Sequence, residues 1–426
     1  MKNIIKKTLT NKYIKNSLWL IIDKFFLLFC GLVVTAIVAR YLGPEQMGKL
    51  SYGLVFSVLC TTISQWGASY TIFNIAVNDR AKATSLISKT LKTRLFIYLL
   101  SWSIVSFYLY STLVYEDFVL VSLVCLSSIF LGLDIYQFYF NATLQSKINA
   151  KPSMLAKSIT MLMRVFFVLM GLNIYWFIIP LVVEGAIIFY LKYKVLNKEP
   201  KPTDDENSHN VYFKSGLLFL SSSVLVFVYS KINQLVLKEY TSFEELGLYS
   251  VGLALAGAWV FIPLSIGTSY LTKALKTQKD EDFAFTYLLV LLVSMPIILF
   301  IFLASKYVVL FTFGEQYEAV SPILPYMCIT TLFGVYGFLN NRHIGSLDNG
   351  ASYINKKVIV TTLISLILTG LLVAHYGLMG AVISIFIIEL LNFTVANYFK
   401  KNVNIALIHK KVFKFNNFQK IYRILV

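Results

Sequence analysis

The chain reads as an all-α polytopic membrane protein. About twelve transmembrane helices are expected, in two pseudo-symmetric six-helix bundles around a central cavity. Three observations predict this. Apolar stretches recur from Leu18 to Phe399, each near the roughly 20 residues of helix that a hydrocarbon core about 30 Å thick requires. Of the 426 residues, 57% are hydrophobic and only 14% charged, with a mean hydropathy of +0.70; an ordinary soluble chain carries about 25% charge. Finally, nearly all Lys and Arg fall in every second gap between the apolar stretches, the bias expected of cytoplasmic loops.

The spans fall in order at 17–39, 50–74, 95–114, 118–140, 154–172 and 174–194. A second set follows at 215–237, 246–270, 283–304, 320–341, 356–375 and 378–398. The segments assigned to the cytoplasmic side, span ends included, hold Arg94, Lys147, Lys151, Lys157, Lys192, Lys194, Lys198 and Lys357 among others. The opposite side holds only Arg40, Lys49, Lys238 and Lys306, beside acids such as Glu45, Glu116, Asp117 and Glu318. This asymmetry makes the number of spans even and places both termini in the cytoplasm. The segment 305–318, SKYVVLFTFGEQYE, either extends the ninth helix or lies in the interface.

The formal charge of +17 is spread over short membrane-flanking loops. It therefore suits topology and anionic headgroups rather than nucleic acid. Cys30, Cys60, Cys125 and Cys328 lie inside apolar stretches without metal-like spacing, as small buried hydrophobes. The first apolar run carries Asp23 and Lys24 and is too long for a cleaved leader, so it is read as a span. No P-loop, metal-spaced Cys/His pair or nucleophile elbow is present, and no enzymatic activity, metal or resident cofactor is expected.

The polar stretch VLNKEPKPTDDENSHNVYFK reads as a cytoplasmic linker. Four regions follow: an N-terminal six-helix bundle (1–196), the linker (197–214), a C-terminal six-helix bundle (215–400) and a basic cytoplasmic tail (401–426). The halves also look related, since YLGPEQMGKLSYG (41–53) overlays YTSFEELGLYSVG (240–252). Gly48 then pairs with Gly247 and Gly53 with Gly252, at equivalent points of each half. Six spans per copy keep both copies in one orientation, a parallel repeat that suits alternating access between halves.

Charges within spans are expensive and usually face a protein-lined or watery interior. Arg164 sits mid-helix in MLMRVFFVLMG, either as a cavity cation or paired with Glu184 of the next helix. Lys231, beside Asn233 and Gln234, marks a polar part of the seventh span. Lys24 either faces substrate, snorkels to the headgroups or pairs with Asp23. Glu184 and Glu389 occupy similar depths in the last helix of each half, where a buried carboxylate can take up a proton. With Asp23 and Asp134 they are candidates for H+ or Na+ coupling or for charge balance.

NSLWLIIDKF (16–25) followed by ARYLGPEQMGKLSYGLVFSV (39–58) resembles the opening of the bacterial polysaccharide flippases, the O-antigen (Wzx-type) transporters. These belong to the superfamily that includes multidrug and toxin extrusion proteins. The matching residues are Asn16, Trp19, Arg40, Tyr41, Leu42, Gly43, Pro44, Glu45 and Gly48; HYGLMGAVISIFIIE (375–389) is similar to the family's later YG-x-x-GA turn. The resemblance implies a flippase of the bacterial inner membrane, in O-antigen or lipopolysaccharide biosynthesis. It would move an undecaprenyl-diphosphate-linked oligosaccharide repeat from the cytoplasmic to the periplasmic leaflet. Arg40 then joins Arg164, Lys231 and Lys24 as substrate-binding cations, with the glycan polymerase and chain-length regulator as partners. The alternatives are an ion-coupled drug antiporter of the same superfamily and a membrane glycan polymerase.

Overall fold

A computed structural model describes residues 12–199, 207–400 and 405–413. Among them every regular element is helical. The longest, α1 (Lys12–Gln65), has 54 residues and is broken at Gly43, whose φ of 79° and ψ of 169° leave the helix. At 1.5 Å per residue an unbroken helix of this length would reach about 80 Å, more than twice the hydrocarbon thickness. The break turns it into two crossings. Pro44 opens the second arm, where its missing N–H costs nothing.

The shorter elements α2 (Ala68–Asn78) and α3 (Arg80–Lys89) lead into α4 (Leu91–Thr112). The fourth predicted span is in three pieces, α5 (Tyr115–Ser127), α6 (Ile129–Leu133) and α7 (Tyr136–Ala142). Next come α8 (Ser146–Leu169) and, after a 3₁₀ turn at Ile174–Phe177, α9 (Ile178–Leu196). The second half runs through α10 (Asn207–Tyr240), α11 (Phe243–Ala258), α12 (Phe261–Thr277) and α13 (Asp280–Thr312). It ends with α14 (Leu324–Gly345), α15 (Gly350–Phe393), the single turn α16 (Val395–Tyr398) and α17 (Ile405–Lys411). Like α1, the 44-residue α15 is broken at a glycine, Gly377, with φ 52°.

Among the described residues, eight helices are long and apolar enough to cross a membrane, or nine when α11 and α12, bent by 45°, form one span. Since α1 and α15 each hold two crossings and α14 has 22 residues, every one of the twelve predicted spans has a helix. The undecided segment 305–318 divides at Gly314: α13 continues to Thr312, and a 3₁₀ turn takes over at Glu315–Val320. The helix of the seventh span begins at Asn207, inside the predicted linker; residues 200–206 lie outside the described ones. Of the tail, only 405–413 is described.

The chain forms two compact units, Met1–Phe227 and Val228–Val426, which meet in sequence inside α10. In the first, Ile72, Leu86, Tyr136, Tyr139 and Phe140 form one core, and Val34, Val38, Phe167 and Phe177 another. The paired glycines of the repeat do the same work in their own units. A Cβ on Gly53 would lie 2.6 Å from Val124 of α5, and one on Gly252 would lie 2.7 Å from Met327 Sδ of α14. Each lets the second span of its half press against the fourth. All four cysteines are buried and free, with Cys60 and Cys125 sulfurs 3.6 Å apart.

Arg94, assigned from sequence to a cytoplasmic loop, is instead fully buried in α4. Its guanidinium donates to the carbonyls of Ile87 (2.7 Å), Leu133 (2.7 Å) and Thr90 (3.3 Å). Ile87 and Thr90 close α3 and Leu133 closes α6. These are orphan carbonyls at negative helix ends, and a buried cation there satisfies both hydrogen bonding and the dipole.

In the second unit α17 docks through buried Ile405 and Ile408, while Lys411 reaches Asp280 at 2.7 Å and Glu281 at 3.3 Å. His409 packs 4.7 Å from the Phe393 ring, with Nδ1 3.0 Å from the Tyr398 hydroxyl. Burial pushes its pKa down to about 4.

Two expectations follow from this packing. Gly53→Ala should cost about 1–3 kcal/mol, because the Val124 stem is fixed to its helix, whereas Gly252→Ala should cost less, because the Met327 thioether can swing away. Thermal unfolding followed by dye labelling of the buried cysteines measures both, and equal losses would contradict the assignment. For α17 the sign is set by His409: its docked pKa lies below the free value of about 6.5, so docked His409 binds fewer protons. Docking should be intact above pH 6.5 and weaken as pH falls toward 4, by about 3 kcal/mol in all. Hydrogen exchange in 405–413 should rise over that window, and His409→Gln should flatten the response.

Candidate functional site

In α8, Lys157, Thr160 and Arg164 recur at three- and four-residue intervals and so share one helix face. That face meets Glu184 of α9. Lys157 Nζ lies 3.3 Å from Glu184 Oε1, Arg164 Nη2 lies 3.7 Å from Oε2, and the Thr160 hydroxyl is 3.4 Å from Oε2. The Arg164 side chain is only 14% accessible. Two cations therefore share one carboxylate, and the cluster keeps an excess positive charge at the depth of the spans. The Arg164 contact is the longest of the three, and a guanidinium is the side chain best suited to bidentate binding of phosphate or carboxylate oxygens.

A second ion pair lies deeper. Lys192 Nζ is 2.6 Å from Asp134 Oδ2, and both side chains are at most 5% exposed. Asp134 sits at the break between α6 and α7, Lys192 near the end of α9. The pair closes on itself and holds the interrupted fourth span against the sixth.

In the second unit the polar groups form a different set. Asn233 Oδ1 accepts from Ser384 (2.6 Å) and Thr369 (3.2 Å), joining α10 to both arms of α15. The Tyr229 hydroxyl donates to Glu389 Oε1 at 2.7 Å and accepts from the Asn392 amide. Glu389 also borders a cavity of about 340 Å³ that is otherwise lined by groups such as Leu253, Val260, Met327 and Thr331. Buried Lys357 donates to Asn397 Oδ1 at 2.9 Å and to Asn341. Lys231 is half-buried and has no ion pair among the described residues.

The eight residues singled out from sequence thus fall into several places. Arg164 and Glu184 come together, Asp134 is tied to Lys192, and Glu389 to Tyr229. Lys231 stands by itself on α10, Arg40 is exposed just before the Gly43 break, and Asp23 is half-buried in the first arm of α1. The side chain of Lys24 lies outside the described residues. Sequence reading assigned Lys157, Lys192 and Lys357 to cytoplasmic segments; in the structure each points into the protein onto a polar partner. The seven-residue spacing of Lys157 and Arg164 carried the signal for the first. Tyr229 and Asn392 gave none, because their roles depend on which helices meet.

Long spans, glycine breaks and charge held inside define a polytopic helical membrane protein. The chain belongs to the family of polysaccharide biosynthesis proteins, whose model matches residues 37–322. No curated protein sequence matches it. Among solved structures it is similar to the lipid II flippase MurJ in an inward closed conformation, with a TM-score of 0.74 and 14% identity, over 95% of this chain and 91% of that one. An inward-facing multidrug resistance MATE transporter of the MOP superfamily follows, with a TM-score of 0.62 and 14% identity, over 91% and 96% of the two chains. A MOP superfamily transporter from Pyrococcus furiosus gives 0.55 and 13% identity, over 90% and 94%. The fold is that of MOP superfamily flippases and transporters.

The Asp134–Lys192 pair makes a separable prediction. Asp134→Ala strands a buried ammonium and should cost about 3–5 kcal/mol, whereas Asp134→Leu combined with Lys192→Met should recover most of that loss. Thermal stability in detergent decides. A double variant as unstable as the single one would mean the pair does more than neutralise charge.

Proposed function

We propose that this protein flips an undecaprenyl-diphosphate-linked oligosaccharide repeat, of O-antigen or a related surface glycan, from the cytoplasmic to the periplasmic leaflet of the bacterial inner membrane. Both termini are placed in the cytoplasm by the Lys and Arg bias. Membership of the polysaccharide biosynthesis family supports the substrate class. The observation that carries the mechanism is the surplus cation of the Lys157–Arg164–Glu184 cluster. A diphosphate entering a low-dielectric interior needs positive charge to replace its water. Arg164 supplies it by exchanging its loose contact with Glu184 for a phosphate oxygen. Lys231, Arg40 and Lys24 are further candidate cations for the substrate. No sugar-specific step is needed, because the polyprenyl tail stays in lipid.

Freed from Arg164, Glu184 can take a proton or keep Lys157, and Glu389 with the Tyr229 hydroxyl offers a second protonatable position in the other unit. H+ is the coupling ion these groups suit best, with Na+ the alternative; Asp134, already neutralised by Lys192, serves charge balance, and Asp23 is the remaining acid of the path. The glycan polymerase and chain-length regulator would receive the flipped repeat.

A second reading has its own observation. The apolar cavity bordered by Glu389 suits a hydrophobic organic cation, as an ion-coupled drug antiporter would require. One experiment separates the two: loss of the gene, scored for the polymeric surface-glycan ladder and for lipid-linked repeats. Flipping predicts loss of the ladder with repeats retained on the cytoplasmic leaflet, rescue by wild type, and failure of Arg164→Ala to rescue, with Arg164→Lys intermediate. An intact ladder with lost resistance to cationic drugs would establish the antiporter. Unpolymerised repeats at the surface would indicate a polymerase.

A further inference from the structure

The cytoplasmic-side ends of α8 and α9 frame a pocket of about 500 Å³ that the flipping mechanism does not use. Four lysines line it. Lys147 and Lys151 lie one turn apart at the start of α8, and Lys194 and Lys198 one turn apart at the end of α9. Its remaining surface is apolar, with Pro152, Leu155 and Leu191 among it. Lys147 Nζ also lies 5.8 Å from the Trp19 ring, and no carboxylate lines the pocket among the described residues.

The contrast with neighbouring cations is informative. On the same two helices Lys157 has Glu184 and Lys192 has Asp134. The four pocket lysines make no ion pair among the described residues, although like charges one turn apart repel. Topology alone explains why lysines occur at this end of the helices. It does not explain why two pairs converge from different helices on one concavity with an apolar floor. The C-terminal end of α9 favours cations, which accounts for Lys194 alone.

We infer that this pocket binds the phosphate headgroup of an anionic phospholipid of the surrounding membrane, with an acyl chain lying over Leu155, itself 50% exposed toward lipid. Basic pockets between helices on the cytoplasmic side are suited to such headgroups. The apolar floor beside the cations fits a ligand that is charged at one end and greasy at the other, which a free phosphate is not.

The test uses the full chain reconstituted in vesicles of phosphatidylethanolamine and phosphatidylglycerol doped with photoactivatable phosphatidylglycerol. Cross-links should map to 147–155 and 191–198. They should fall at least about tenfold in Lys147→Gln/Lys151→Gln/Lys194→Gln/Lys198→Gln, since each lysine near the surface contributes to headgroup attraction. A control with Lys273, Lys276, Lys279 and Lys356 changed to Gln removes equal charge elsewhere and should keep the signal, as should Lys→Arg at all four pocket positions. If the quadruple variant does not fold, Lys194→Gln/Lys198→Gln should still lower labelling severalfold. Uniform labelling, or equal loss in the control, overturns the proposal. So does displacement by a polyprenyl diphosphate at concentrations where added phosphatidylglycerol has no effect, which would assign the pocket to the transported lipid. Competition by inorganic phosphate alone would mean that the apolar floor plays no part.

Discussion

The structure depends on one constraint: inside hydrocarbon, polar and charged groups must find their partners within the protein. Helices satisfy the backbone, but every interruption frees carbonyls and N–H groups. At several of them the chain supplies a side chain. Arg94 collects the carbonyls at the ends of α3 and α6, and the break after α6 carries Asp134, which Lys192 neutralises. Trp66, at the end of α1, donates its indole N–H to the Phe213 carbonyl at 3.0 Å. At these points a specific donor or acceptor serves the irregular backbone.

The same constraint separates structural from functional charge. The Asp134–Lys192 contact is short, dry and balanced, and such a pair contributes rigidity while offering nothing to a ligand. Around Glu184 the balance fails by one positive charge, and the Arg164 contact is more than an ångström longer. An unbalanced, loosely held cation is costly to keep unless an anion arrives to share it. In the N-terminal unit two cations thus share one carboxylate. In the C-terminal unit Glu389 is held by a phenol and no cation lies within ion-pair distance among the described residues, so that unit presents an acidic group against an apolar cavity.

Much of this was legible in the amino-acid order. Span number followed from hydropathy, and the paired Gly53 and Gly252 proved to be close-packing points of equivalent helices. Arg164 and Glu184 stood out because charge in an apolar run is rare. What sequence could not supply was the inward turn of residues near span ends. Arg94, Lys157, Lys192 and Lys357 stand at span ends, where the positive bias already accounts for a cation, whereas burial depends on which face of a helix meets its neighbour. The breaks show a similar limit. The interruptions in α1 and α15 fall at Gly43 and Gly377, where a positive φ decides the geometry and hydropathy gives no sign of it.

That choice of glycine also bears on how the protein can move. A Cβ on Gly377 would meet Glu245 Oε2 at 3.0 Å in a conformation that L side chains rarely adopt, so both sterics and backbone restrict the position to glycine. Gly43 stands at the corresponding boundary between the first two spans of the N-terminal half, as Ser242, the N-cap of α11, does in the C-terminal half. The Ser242 hydroxyl accepts from the Glu245 N–H at 3.2 Å and fixes the start of its helix. Gly43 has no side chain with which to do so. The two halves thus place an uncapped glycine and a capping serine at matched positions. Rocking of helices about such points needs dihedral freedom at one joint more than new contacts at both. The N-terminal half, with the uncapped glycine, is also the half in which two cations share Glu184.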